Sequence, residues 1–220
     1  MIKLCIFDLD GTVLDTVKSI AYYANCALIK NGIEAIEVDM YKYLAGNGIS
    51  RLIHNMLDYR NCNTPETYEK VFRDYDTAYN NDVTYKTEIF EGLLPVLDRI
   101  KEKGVRLAIV SNKPDFAAKT VVNKLYGEGY YDFVTGQTPG GVLKPDPTAV
   151  LDVISAMGVK KEECLYIGDT STEMLTGKNA GLFTVGVLWG FRGRDELTAN
   201  GADLIIDKPS QLYDCVLSFE

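Results

Sequence analysis

Six short runs of apolar and β-branched residues recur along the 220-residue chain, and several of them are apolar throughout instead of alternating with polar positions. Continuous apolar runs of this length are typical of strands that are buried on both faces of a parallel sheet. The predicted strands are residues 2–7, 105–110, 131–135, 164–167, 184–187 and 204–206.

Helical patterns separate these strands in the C-terminal part of the chain. Three of the patterns end at a glycine, namely Gly104, Gly127 and Gly158, where helices commonly stop. The third pattern opens with D-P-T, which predicts Asp146 as the N-cap and Pro147 as the first helical residue. Because strands and helices alternate, the sequence predicts an α/β fold, a doubly wound parallel sheet with a Rossmann-like core.

The first two predicted strands are separated by nearly a hundred residues that contain no strand pattern. Three helices are predicted in this gap, the last with Thr64 as N-cap and Pro65 at its first position. They cover residues 16–32, 49–59 and 65–80. We therefore predict a core formed by residues 1–15 and 84–220, and an inserted helical subdomain formed by residues 16–83.

Composition and charge exclude several classes of protein. Apolar residues make up 46% and charged residues 25% of the chain, as in ordinary globular proteins, and no apolar stretch approaches the roughly 20 residues of a membrane span. Charged residues come too early for a signal peptide, so we expect a cytoplasmic protein without a membrane partner. A net charge of −8 argues against nucleic-acid binding, although one basic group and a metal can serve a single phosphate.

The five cysteines are odd in number and form no C-x-x-C pair, so neither a zinc site nor a disulfide framework is predicted.

Candidate catalytic residues lie in the stretch I-F-D-L-D-G-T, where the first strand ends. Asp8 and Asp10 are two residues apart in extended chain and point the same way, at the sheet edge where α/β proteins bind ligands. Two adjacent carboxylates repel unless a cation or a shared proton compensates. A simple turn at Asp10 and Gly11 would leave Asp8 unexplained.

Polar residues also follow the other predicted strands. Ser111 and Asn112 follow the second strand, Lys144 lies in the loop G-G-V-L-K-P-D-P, and Asp169 follows the fourth strand with Glu173 four residues later. Each of these residues alone could be a helix cap or a solvated loop residue. Together they bring further acids, a hydroxyl and a lysine to the same edge of the sheet.

These residues resemble the four motifs of the haloacid dehalogenase-like phosphatase superfamily. The first motif, D-x-D-G-T, matches residues 8–12, the second matches Ser111, the third matches Lys144, and the fourth, G-D-x-x-x-[DE], matches residues 168–173. The inserted helices resemble the cap of that superfamily. The stretches D-G-T-V-L-D-T, S-N-K-P and K-P-D-P are similar to those of its phosphoglycolate phosphatase-like members.

The resemblance implies a nucleophile, an acid–base residue and a Mg²⁺ ion. Asp8 would attack phosphorus and form an aspartyl-phosphate, while Asp10 would protonate the leaving oxygen and then deprotonate water. The metal would be held by the Asp8 side chain, the Asp10 backbone carbonyl and Asp169. Glu173, where many relatives have aspartate, could bind the metal, act through a water molecule, or orient Lys144.

The same resemblance assigns the groups around the phosphate. Lys144 would supply a second positive charge, and Ser111 and the Asn112 backbone N–H would donate to the phosphoryl oxygens. Thr12 is predicted to contact substrate or to orient Asp10.

In the inserted helices, the stretch A-G-N-G-I-S-R is the predicted specificity loop. Gly46 and Asn47 would approach the substrate, and Arg51 could bind a substrate carboxylate. The alternative is a simple interhelical turn that is followed by a solvated arginine.

The favoured function is hydrolysis of a small phosphorylated metabolite that resembles 2-phosphoglycolate, by a monomer or homodimer. Phosphomutase, pyrophosphatase and phosphonatase relatives are alternatives, although Thr12 favours hydrolysis because related sugar phosphomutases usually carry valine there. A non-catalytic phospho-aspartate signalling domain is a remote alternative. Such domains place the acceptor aspartate after the third strand, where this chain has Gly136 and Gln137.

Overall fold

The computed structural model describes residues 1–219, and its centre is a six-stranded sheet of parallel strands. The strands are β1 (Leu4–Phe7), β2 (Leu14–Asp15), β3 (Glu88–Ile89), β4 (Arg106–Pro114), β5 (Phe133–Gln137), β6 (Cys164–Gly168), β7 (Phe183–Val187) and β8 (Leu204–Ile206). The order in the large sheet is β5-β4-β1-β6-β7-β8. The predicted doubly wound α/β fold is therefore confirmed.

Helices cover both faces of the sheet and form the insertion after β2. The α-helices are α1 (Val17–Lys30), α2 (Tyr41–Leu44), α3 (Gly48–Tyr59), α4 (Pro65–Asn81), α5 (Leu93–Glu102), α6 (Asp115–Tyr126), α7 (Thr148–Met157), α8 (Ser171–Ala180), α9 (Arg194–Ala199) and α10 (Ser210–Leu217). Two 3₁₀ turns cover Val38–Met40 and Lys161–Glu163.

The strand β1 lies at the centre of the sheet, between β4 and β6. Leu4 pairs with Arg106 on one side and with Cys164 on the other. All four residues of β1 are buried, as the continuous apolar run predicts. This order brings the carboxyl ends of β1, β4 and β6 together, and those are the ends that carry the candidate polar residues.

Apolar side chains form separate clusters on the two faces of the sheet. One face packs against α5, which buries Leu93, Val96, Leu97 and Ile100 at helical spacing. The other face packs against α7, which buries Val150, Val153 and Ile154.

The helices α1 to α4, which we call the cap, share an apolar cluster that also includes Ala117 and Phe191 of the core. Thr64 is the N-cap of α4, where its hydroxyl accepts from Thr67 N at 3.2 Å, so this predicted helix start is confirmed. The chain leaves and re-enters the core through β2 and β3, an antiparallel pair of two residues each. The domain boundaries at residues 15/16 and 83/84 stay a prediction.

Several predicted element boundaries differ from the structure by about two residues or more, and two of these differences concern candidate residues. The strand β4 continues to Pro114 instead of ending at Val110, so Ser111 and Asn112 belong to the strand. The helix α7 begins at Thr148 with Pro147 as its N-cap, because the Asp146 carboxylate accepts from Thr148 N at 2.9 Å and forms a turn just before the helix.

Within residues 1–219, no helix combines the length and the apolar composition that crossing a membrane requires.

Candidate active site

Asp8 extends the central strand into the candidate site. Its backbone N–H donates to Ile167 O at 2.9 Å, which holds the residue beside β6, and its side chain is largely buried. The chain then turns at Gly11, which has a φ of +87°. A β-carbon at this position would lie 2.2 Å from Asp169 Oδ2. Glycine is therefore required both by the backbone conformation and by the close approach of Asp169.

Lys144 is buried beside Asp8, and its ammonium group contacts three acceptors. Its Nζ lies 2.6 Å from Asp8 Oδ1, 2.9 Å from Glu173 Oε1 and 3.0 Å from Val110 O. An ammonium group has three donors, so all three have an acceptor. Burial by itself lowers the pKa of Lys144, but the Asp8 and Glu173 carboxylates outweigh it and raise this pKa well above its ordinary value.

Asp169 is held in one orientation by its neighbours. Its Oδ1 accepts from Thr12 Oγ1 and its Oδ2 accepts from Phe191 N, both at 2.8 Å. A β-carbon on Gly190 would lie 2.5 Å from Oδ2, so this glycine also lets the backbone pack against the carboxylate. The Thr12 hydroxyl therefore positions Asp169. The hydroxyl donates to Asp169 and not to Asp10. The predicted contact of Thr12 with substrate stays a prediction.

Glu173 lies in the first turn of α8 and accepts hydrogen bonds from Thr170, the N-cap residue of that helix. Its Oε2 accepts from Thr170 N at 3.2 Å and from Thr170 Oγ1 at 2.6 Å, which forms a capping box. Its other oxygen pairs with Lys144. Of the three roles predicted for Glu173, these contacts favour the orientation of Lys144.

A divalent cation fits the group of acids at this position. Asp8, Asp169 and Glu173 are buried and each offers one carboxylate oxygen, with all these oxygens within 4.8 Å of one another. Lys144 is the one cation in contact with this group among the described residues. Burial raises the pKa of Asp8, Lys144 opposes this rise and Glu173 adds to it, and the result is a pKa of about 7. Burial and the Glu173 carboxylate raise the pKa of Asp169 well above its ordinary value. An oxygen-only donor set with excess negative charge suits Mg²⁺.

Without metal, the free energy of unfolding is expected to fall as pH rises from about 5.5 to about 8. A carboxyl group whose pKa is raised in the folded state contributes stability below its unfolded pKa and loses this contribution as pH rises through the folded pKa. For Asp8 the pKa rises from 3.8 to about 7. We expect the free energy of unfolding in EDTA to fall by about 2–4 kcal/mol over this window, measured by urea unfolding. Saturating Mg²⁺ should stabilise the protein more at pH 8 than at pH 5.5, and equal stabilisation would contradict this interpretation.

The residues after Val110 form the other side of the site. Ser111 and Asn112 are buried and line a cavity together with Asp8 and Asp10. The Asn112 side chain is engaged, because its Oδ1 accepts from Lys144 N at 2.9 Å and its Nδ2 lies 3.3 Å from Gly46 O. Only the backbone N–H of Asn112 is left for the predicted phosphate contact, which stays a prediction.

The three predicted cap residues have different positions. Gly46 lines the cavity, whereas the Asn47 side chain accepts from Thr172 Oγ1 at 3.1 Å and so joins the cap to the core. Arg51 is exposed and does not line the cavity. The predicted substrate contact of Arg51 therefore has no support in this structure, because the apolar face of α3 turns inward and places Arg51 on the opposite side.

Sequence reasoning assigned no role to Lys113, which lies in this site. Lys113 Nζ is 2.8 Å from Asp10 Oδ1, so the Asp10 side chain is in an ion pair and lies outside the group of acids that fits a metal. The signal was present in S-N-K-P, where Lys113 directly follows two candidate residues at the end of a strand.

Fold and site together define an enzyme of phosphoryl transfer, because acids, a hydroxyl and a buried lysine converge on one cavity at the carboxyl edge of a doubly wound sheet. The chain belongs to the haloacid dehalogenase-like hydrolase family, whose model matches residues 5–187.

Individual relatives agree with this family. The chain is 33% identical to a phosphoglycolate phosphatase of Aquifex aeolicus over 96% of its own length and 94% of that protein. It matches, with a TM-score of 0.92 and 29% identity, a crystal structure from Lactobacillus delbrueckii subsp. bulgaricus whose assignment as a phosphoglycolate phosphatase is itself a prediction; the match covers 97% of this chain and 98% of that one. This chain is a phosphatase of the superfamily.

Proposed function

We propose that the protein is a Mg²⁺-dependent phosphomonoesterase that hydrolyses a small phosphorylated metabolite, with 2-phosphoglycolate favoured, through an aspartyl-phosphate intermediate. The observation that carries the proposal is the position of Asp8, which is paired with Lys144 and faces a cavity shared with Asp10 and Ser111. The name of the Aquifex aeolicus relative supports the choice of substrate.

Asp8 is the nucleophile in this proposal, and its main obstacle is electrostatic. Two unit charges about 4 Å apart repel by about 4 kcal/mol at an effective dielectric constant of about 20. Lys144 opposes this repulsion, and its contacts with Glu173 and Val110 O hold its ammonium group in place. When bound, Mg²⁺ would be held by Asp8 and Asp169 and would add positive charge beside the phosphate.

Asp10 moves the protons. In the first step an Asp8 oxygen bonds to phosphorus, the bond to the leaving oxygen breaks, and Asp10 gives a proton to that oxygen. This step requires Asp10 in its neutral form, whereas in this structure its carboxylate pairs with Lys113. In the second step water bonds to phosphorus, the Asp8–phosphorus bond breaks, and Asp10 takes a proton from the water. The Asp10 carboxylate lines the cavity beside Asp8, as both steps require.

A phosphonatase that forms a Schiff base is disfavoured by the state of the lysines in the site. Schiff-base chemistry needs a neutral amine. Burial lowers the pKa of Lys113, but the Asp10 carboxylate and Tyr79 outweigh it and raise this pKa above its ordinary value. Lys144 is likewise held in its charged form.

The proposal is tested by phosphate release from 2-phosphoglycolate and p-nitrophenyl phosphate. We expect turnover with Mg²⁺, loss of turnover in EDTA, and recovery on addition of excess Mg²⁺. Inactivity on both substrates with ample Mg²⁺ would contradict the catalytic assignment. Activity on p-nitrophenyl phosphate with a low kcat/KM for 2-phosphoglycolate would retain the phosphatase and reject the favoured substrate.

A further inference from the structure

Lys113 is a buried cation in the cavity that adjoins Asp8. Its Nζ lies 2.8 Å from Asp10 Oδ1 and 3.2 Å from Asp10 Oδ2, and 7% of its side chain is exposed. These two contacts engage at most two of the three ammonium donors. Lys113 forms no third hydrogen bond of normal geometry within the described residues, whereas the donors of Lys144 are all engaged within the protein.

Tyr79 of the cap contributes an unsatisfied hydroxyl to the same place. The residue lines the cavity and is 2% exposed, and its hydroxyl forms no hydrogen bond of normal geometry within residues 1–219. Lys113 Nζ lies 5.3 Å from the centre of the Tyr79 ring. Burial raises the pKa of Tyr79, and the charge of Lys113 and an interaction of its ammonium group with the Tyr79 hydroxyl oppose that rise, so the two groups face each other. A buried polar group without a partner is unfavourable, so this hydroxyl points to a ligand that would satisfy it.

The rest of the cavity limits which ligand can be bound there. Beyond the catalytic residues its walls are mainly apolar, with Ile20, Ile49, Leu52 and Tyr75 among them. Lys113 is the one cationic side chain that lines the cavity in the described part of the chain. A single ammonium that already faces Asp10 suits a ligand group with one negative charge better than a second phosphate with two.

We infer that Lys113 Nζ and the Tyr79 hydroxyl form the subsite for a carboxylate on the leaving group of the substrate. This inference rests on the proposed function and deepens it by naming the residues that distinguish an anionic from a neutral phosphomonoester. Lys113 belongs to the core and Tyr79 to the cap, so both parts of the chain contribute to the subsite. It takes the role that the sequence had suggested for Arg51.

The test compares two substrates that differ in one charged group, 2-phosphoglycolate and 2-hydroxyethyl phosphate. We expect the wild-type protein with Mg²⁺ to prefer the carboxylate. Lys113→Met should lower the ratio of the two kcat/KM values by about 100-fold, because it removes a buried charge pair with the substrate. Tyr79→Phe, which removes one oxygen and leaves the ion pair with Asp10, should lower the ratio by about 10-fold.

Two variants serve as matched controls. Lys119→Met removes an exposed lysine of α6 that pairs with Asp115, and Tyr41→Phe removes a buried cap hydroxyl that bonds to Asn25 and does not line the cavity. Both should leave the substrate ratio unchanged. Because Lys113 also pairs with Asp10, Lys113→Met will reduce turnover of both substrates. The affinity of each ester for Asp8→Asn, with and without Lys113→Met, therefore gives the same ratio by calorimetry without turnover.

The outcomes test the proposed function and the carboxylate subsite separately. Failure of the wild-type protein to hydrolyse either ester or p-nitrophenyl phosphate would contradict the proposed function. Failure on both esters with activity on p-nitrophenyl phosphate would retain the phosphatase and reject the carboxylate subsite. Hydrolysis of both esters with a ratio that Lys113→Met and Tyr79→Phe leave unchanged would contradict the carboxylate subsite and retain the phosphatase. A wild-type preference for the neutral ester would have the same consequence.

Discussion

Replacing Asp8 by asparagine is expected to lower kcat for phosphate release by about 10⁴-fold or more, the loss usual when a catalytic nucleophile is removed. Asparagine has nearly the same shape as aspartate, but its amide does not attack phosphorus. The effect should be the same for every substrate, because it removes the bond-forming atom. The measurement is the steady-state rate on p-nitrophenyl phosphate, with ³²P or mass spectrometry to detect a phosphorylated protein in the wild type.

The control for this result is to show that the Asp8→Asn variant still folds. Asp8 belongs to a group of three buried acids around Lys144, so the substitution also reduces repulsion between Asp8, Asp169 and Glu173. We expect the metal-free variant to stay folded and to depend less on pH than wild-type protein in EDTA. Asp146→Asn, an exposed acid of the same core, should leave activity unchanged. Retention of more than about a tenth of the activity in Asp8→Asn would place the nucleophile elsewhere.

Much of the core could be predicted because its strands are buried on both faces. A strand such as β1, in which every residue is buried, leaves a continuous apolar run that no surface strand would show. The short pair β2 and β3 escaped prediction, because two residues are too few to carry a pattern. The extension of β4 past Val110 was not predicted for another reason. Polar residues that face a site resemble, in sequence, the start of a loop.

The site could be predicted only to the level of residue type and strand end. Asp8, Ser111 and Asp169 come together because β1, β4 and β6 are neighbours, and their order in the chain does not reveal this. The role of Lys113 depends on where Asp10 points after the turn at Gly11, which is a tertiary property.

The exposed position of Arg51 could be predicted from the helical periodicity of α3. Ile49, Leu52, Ile53 and Met56 recur at a spacing of three and four, which is the inward face of an amphipathic helix. Arg51 lies off that face, so its exposure follows from the pattern. The glycines of the loop indicated the correct segment of the cap, because Gly46 and Gly48 line the cavity.

Lys144→Met is expected to affect both catalysis and folding. Lys144 Nζ contacts Asp8 at 2.6 Å and Glu173 at 2.9 Å, and 2% of its side chain is exposed. Removing one partner of a buried ion pair usually costs about 3–5 kcal/mol, because the other charges are left buried and unpaired. We expect that loss in the free energy of unfolding in EDTA at pH 8, and a fall of about 10³-fold in kcat/KM with Mg²⁺.

The same variant distinguishes electrostatic support from simple packing. Methionine fills most of the volume of lysine, so a loss that comes from charge should be partly reversed by Mg²⁺, which supplies positive charge to the same acids. Lys144→Arg keeps the charge and should unfold at a higher urea concentration than Lys144→Met. Lys119→Met, at an exposed ion pair with Asp115, should cost less than about 1 kcal/mol. If Lys144→Met cost no more than Lys119→Met, the buried acids would be largely protonated at pH 8, and Lys144 would not be the group that holds Asp8 as an anion ready for attack.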